Sequence, residues 1–227
     1  MKLQTIIFSL IALFSLTINS QDLDKIVQSQ PNYFTCLDIA KKLSTKQDED
    51  LMRVKCLRYF KDRITFPTCI DSAIKMSTYP KEDAMRMECF ESYKKKITLN
   101  QCIKNAENFN THLGEDRMRW SCLKNFKSRI NLPQCTHIAV EMSTKPKEDA
   151  MRWECFESYK KEMTLNQCIK NAENLNTHLG EDQMRWSCLL SFEEKINTHI
   201  CIKIAEGMST RNAREEMVKF CANAIFN

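Results

Sequence analysis

Twelve cysteines are the residues of this 227-residue chain best placed to do chemistry. They stand at 36, 56, 69, 89, 102, 122, 135, 155, 168, 188, 201 and 221, so that separations of 20 and 13 alternate without exception. Thiols at such positions could hold zinc or join as disulfides. Zinc sites usually draw their ligands from tight pairs, about two to four residues apart, and this spacing supplies none. The even count lets every thiol find a partner, and so cysteine-rich a chain suits an oxidising compartment. Structural disulfides are expected, with no metal and no other cofactor.

The remaining reactive residues are less organised. His112, His137, His178 and His199 do not converge on a ligand spacing. Glu–Asp pairs such as Glu82–Asp83 and Glu148–Asp149 could be read as paired catalytic carboxylates. They recur from unit to unit at a helix start, where capping and the helix dipole suffice to explain them. There is no G-x-S-x-G elbow and no glycine-rich phosphate loop. No catalytic residue is assigned, and the chain is read as a non-enzyme.

One further column has the chemistry of a binding face. Arg53, Arg86, Arg119, Arg152 and Arg185 recur at the cysteine period, and Trp120, Trp153 and Trp186 follow the last three. The tryptophan position lies two residues past a buried methionine, about 200° around a helix, and should point away from the helix's own partner. Arg86, Arg119, Trp120, Arg152, Trp153, Arg185 and Trp186 are therefore the candidate binding residues, of the types that dominate protein interfaces. The competing expectation is structural: each tryptophan packs on the neighbouring hairpin and each arginine pairs with a nearby carboxylate.

What must position these residues is a repeat. Four residues after each first cysteine comes Ala40, Ala73, Ala106, Ala139, Ala172 and Ala205; sixteen after it comes Met52, Met85, Met118, Met151, Met184 and Met217. A fixed period near 33 marks stacked supersecondary units. A 66-residue superperiod lies on top: the segments 103–122 and 169–188 differ only at 109/175 and 117/183.

Each unit reads as two helices. Cys102, Ala106 and Phe109 share one face of a short first helix. Thr98 with Gln101, and Thr164 with Gln167, have the spacing of a capping box before it. A longer second helix follows Thr78 or Thr144, with Pro80 or Pro146 in its first turn. Its buried face runs Met85, Cys89, Tyr93 and Ile97, widened by Phe90. Three glycines and five prolines are too few for a turn-rich β fold. The fold class is all-α: an α-solenoid of six disulfide-stapled helical hairpins in 33-residue repeats. Its general shape is similar to tetratricopeptide-type arrays, but the W-x2-L-G-x2-Y pattern of that family is absent.

Hairpin geometry fixes the pairing. With the turn roughly nine or ten residues after the first cysteine, that cysteine faces a residue some 18 to 20 further on, whereas pairing between units would be out of register by roughly 7 Å of helix. The expected bridges are Cys36–Cys56, Cys69–Cys89, Cys102–Cys122, Cys135–Cys155, Cys168–Cys188 and Cys201–Cys221.

The domain plan is a signal peptide over 1–20, a lead-in segment over 21–35 and the six-repeat array over 36–227, with units starting at 36, 69, 102, 135, 168 and 201. The leader rests on Lys2, the apolar run Ile6–Ile18 and Ser20 before the cut. That run is too short to span a bilayer, so the protein is expected outside the cell without a stable membrane anchor. Lys and Arg (34) only slightly outnumber Asp and Glu (29), with the signs interspersed, which does not suit nucleic acid. The function expected is a secreted, non-catalytic protein-binding module of effector, toxin-like or scavenger type, a monomer or weak oligomer. The alternatives are a structural or secretory-matrix component and a membrane-active defence protein.

Overall fold

The computed structural model describes residues 20–224. Apart from Ser20, the expected leader lies outside them. Among the described residues every regular element is helical. The described residues divide into two compact units, one up to Lys95 and one from Lys96.

In the first unit a helix α1 (Ser20–Gln28) precedes two hairpins, α2 (Tyr33–Ala40) with α3 (Lys46–Phe60), and α4 (Phe66–Ala73) with α5 (Tyr79–Tyr93). The lead-in is thus more than a connection. Leu23 and Val27, four residues apart on α1, are buried, and Asp24 pairs with Lys55 of α3 at 2.5 Å. The second unit holds four hairpins: α6 (Leu99–Glu107) with α7 (His112–Phe126), α8 (Leu132–Val140) with α9 (Lys145–Tyr159), α10 (Leu165–Glu173) with α11 (His178–Ser191), and α12 (Thr198–Glu206) with α13 (Arg211–Asn223).

The boundaries follow from local chemistry. Thr98 and Thr164 each accept from the backbone N–H of the glutamine three residues on, whose side chain reaches back to close a capping box. Asn131 and Gln134 make a third box that the Thr-x-x-Gln spacing did not reveal. Second helices begin after Thr45, Thr78, Thr111, Thr144, Thr177 and Thr210. Where proline follows, at Pro80 and Pro146, the missing N–H falls in the first turn, where no intrahelical acceptor exists for it.

All six bridges join the two helices of one hairpin, with Cα–Cα distances of 5.6 to 5.9 Å and a separation of 20 residues each. Every cysteine is fully buried beside the alanine and methionine of its own repeat. The small alanine lets the helices approach, the methionine fills the gap above the sulfurs, and Phe60, Phe126, Phe156 and Leu189 complete the packing.

The 66-residue superperiod has a structural counterpart. Second helices of the first, third and fifth repeats run into short 3-10 turns at Lys61–Arg63, Lys127–Arg129 and Glu193–Lys195. At the first two turns the freed carbonyls are taken up by the next repeat: the Tyr93 hydroxyl donates to the Lys61 and Ile64 carbonyls, and Tyr159 to those of Lys127 and Ile130. Burial, with the nearby Tyr33 and Asp62, pushes Tyr93 up to about 12.

Candidate functional site

The arginine column stands at the middle of the second helix of five repeats, in the register Glu-Asp-x-x-Arg. Glutamate and arginine stand four residues apart on one helical face, and the ion pair forms each time. Arg53 Nη2 lies 2.6 Å from Glu49, Arg86 Nη2 2.8 Å from Glu82, Arg119 Nη2 2.7 Å from Glu115, Arg152 Nη2 2.8 Å from Glu148, and Arg185 Nη2 2.9 Å from Glu181. These arginines are 2 to 7 % exposed. Arg86, Arg119, Arg152 and Arg185 are therefore internal braces, not cationic anchors on a surface. The position two past the methionine does face away from the helix's own partner, but the arginine lies one residue earlier, and Arg119 and Arg185 turn into the seam with the neighbouring first helix.

The aspartate between them does something that its spacing did not suggest. Asp50 accepts from the backbone N–H of Ser77 at 3.0 Å, and Asp116 from that of Ser143 at 2.7 Å. Asp149 accepts from Asn176 and Thr177, and Asp182 from Ser209 and Thr210. Each acceptor lies 27 or 28 residues before its donor, so one hairpin's carboxylate caps the next hairpin's loop. Burial alone would raise Asp50, but hydrogen bonds from the Ser77 hydroxyl, Lys81 and the Ser77 backbone N–H hold it below the ordinary carboxylate range. The sixth repeat carries Arg214, Glu215 and Val218 where the others carry Glu, Asp and Arg.

The tryptophans behave differently. Trp120, Trp153 and Trp186 are each half-buried on the second helices of the second unit. Trp153 meets Phe156 edge-on at 5.7 Å, and Trp186 meets Phe220 of the next second helix at 5.4 Å. Lys124 lies 5.9 Å from the centre of the Trp120 ring. One part of each indole serves the hairpin stack, and the other remains open to water.

Between first helices the second unit carries two grooves of about 550 Å³. One lies between α6 and α8 and is lined by Leu99, Ile103 and Ile138 with Arg119. The other lies between α10 and α12, lined by Leu165, Ile169, Ile200 and Ile204 with Arg185. They are related residue for residue by the 66-residue shift. In the first unit Tyr33 stands at the position of Leu99 and Leu165, and its hydroxyl donates to Ser72 at 2.7 Å. The groove walls combine half-exposed Ile103, Ile169 and Ile200, each next to a cysteine, with buried Ile138 and Ile204, so the helical period that marks buried faces does not mark the grooves.

Among the described residues no three His, Cys, Asp or Glu side chains are grouped to hold a metal ion. His112 and His178 begin second helices, His137 lies on the α6–α8 groove and His199 is in the first turn of α12. No described helix is long and apolar enough to cross a membrane. The six disulfides fit an oxidising environment. No family model, curated protein or solved structure matches this chain.

Proposed function

We propose that this chain is a secreted, non-catalytic binding protein that engages another protein through the second-helix side of residues 96–227. The observation that supports this reading is the repeated half-burial of Trp120, Trp153 and Trp186. Each indole is fixed by packing on one side and open on the other, which lowers the entropy lost when a partner covers it. Tryptophan is enriched among residues that dominate binding energy. The bridges inside each hairpin would keep such a surface rigid outside the cell, and the leader-like start over 1–20 is the reason for placing it there.

The first two repeats carry Val54 and Met87 at the tryptophan position, so methionine is compatible with the scaffold there. Oxidised protein and its Trp120→Met/Trp153→Met/Trp186→Met variant should be immobilised in parallel and exposed to extracellular fluid. A defined protein retained by the former and lost by the latter is the expected result. Equal retention removes the tryptophans from the interface, and no retained protein removes the reading.

A further inference from the structure

In the first unit an open groove runs between the second helices α3 and α5. Asp50, Met76, Lys81, Ala84, Met85 and Glu88 line it, with Val54 on the α3 side. The same six residue types stand 66 positions on, at 116, 142, 147, 150, 151 and 154, around the junction of α7 and α9. An ion pair is kept as well: Lys81 lies 2.9 Å from Asp50, and Lys147 3.0 Å from Asp116. What differs is a ring. Trp120 of α7 holds the place of Val54, and its indole packs against the core cluster that contains Met142 and Met151. There Met142 is buried, at 7 % exposed, whereas its counterpart Met76 is only half-buried. Lys124 lies over the Trp120 ring at 5.9 Å. At the same position Arg58, with no ring to cover, turns to Glu88 at 2.5 Å.

The α3–α5 groove is therefore a bed for an indole that the first repeat does not itself supply. Covering the half-exposed Met76 and Val54 with a flat apolar ring removes that surface from water. The charges at the two ends, Asp50 with Lys81 and Arg58 with Glu88, are already paired, so the bed calls for no net charge in its occupant. Val54 fills the space of the Trp120 Cβ and the atoms next to it. A ring lying as the Trp120 indole lies would point its C3 edge at Val54, with no room there for a backbone. We propose that this groove binds a small, uncharged indole as a free ligand, its ring against Met76 and Met85 and its C3 edge toward Val54. The site does not rest on the tryptophans of the second unit meeting a partner.

The test is a set of methyl spectra of the full oxidised chain, titrated with indole, benzene and N-acetyltryptophanamide. Indole should bind one equivalent with a Kd below about 1 mM and shift Val54, Met76 and Met85. Benzene, a smaller ring, should bind at least about tenfold more weakly. N-acetyltryptophanamide, whose chain leaves from C3, should bind at least about fivefold more weakly. Val54→Trp supplies the ring from the chain itself and should abolish indole binding with an unchanged circular dichroism spectrum. Trp120→Val should open the counterpart, raising the stoichiometry to two with new shifts at Met142 and Met151. If one variant does not fold, the other decides. No indole binding, equal binding by Val54→Trp, or a folded Trp120→Val that stays at one equivalent would overturn the assignment. So would N-acetyltryptophanamide binding more tightly than indole, which would point to a tryptophan side chain on a partner protein.

Discussion

Asp182 accepts from the backbone N–H of Ser209 at 2.6 Å and of Thr210 at 3.0 Å, and in doing so ties the fifth hairpin to the loop of the sixth. The carboxylate is nearly inaccessible, at 3 % exposed, and the Thr210 hydroxyl also donates to it at 2.6 Å. A buried donor left without its acceptor costs about 1–3 kcal/mol. Asp182→Ala should therefore lower stability by roughly that amount, with hydrogen-exchange protection falling first over 198–223. Urea unfolding of the oxidised protein and exchange mass spectrometry would measure both. Unchanged protection over 198–223 would count against the tie.

The arginine column makes the opposite prediction to the one a surface role implies. Arg152 donates to Glu148 through Nε at 3.0 Å and Nη2 at 2.8 Å and is 7 % exposed. Arg152→Ala should cost about 1.5–3 kcal/mol, the range for hydrogen bonds to charged groups. A Lys substitution should recover only part, since one ammonium cannot reproduce the two-pronged contact. Denaturant midpoints of the two variants decide this. A variant as stable as the parent would return Arg152 to the surface.

Each bridge closes a loop of 20 residues, which the chain-entropy model values at about 3 kcal/mol. Replacing Cys168 and Cys188 together by alanine should lower stability by about that much or slightly more, because the alanines also leave the sulfurs' volume unfilled. Non-reducing peptide mapping of the parent should return six bridges, each within one repeat. A bridge joining two repeats would contradict the fold.

Asp50 gives the first unit a pH dependence whose sign is fixed. Its carboxylate is held below the ordinary range when folded, so its contribution is complete above the unfolded value of about 3.9 and fades as pH falls through the lower, folded value. Glu49 is lowered in the same direction by its hydrogen bonds from Lys46 and then Arg53. Thermal melts between neutral pH and about pH 2 should show Asp50→Asn less stable at neutrality and less sensitive to acid than the parent. Parallel curves would remove Asp50 as the source.

The alternating cysteine separations 20 and 13, with alanine and methionine in fixed register, determined the hairpin, its bridges and its caps. Those features are local: they follow from helical period, capping chemistry and the short reach of a disulfide. What a carboxylate or a guanidinium meets across the seam is not local, and there the sequence was ambiguous. The residues of Glu-Asp-x-x-Arg are equally suited to a helix start in water and to a buried joint. Only the approach of the next hairpin decided that Asp149 meets Asn176 and Thr177, that Arg152 is internal and that Trp153 keeps part of its ring in water. The grooves are likewise tertiary, since they exist only where two first helices stand side by side and their isoleucines face a common space.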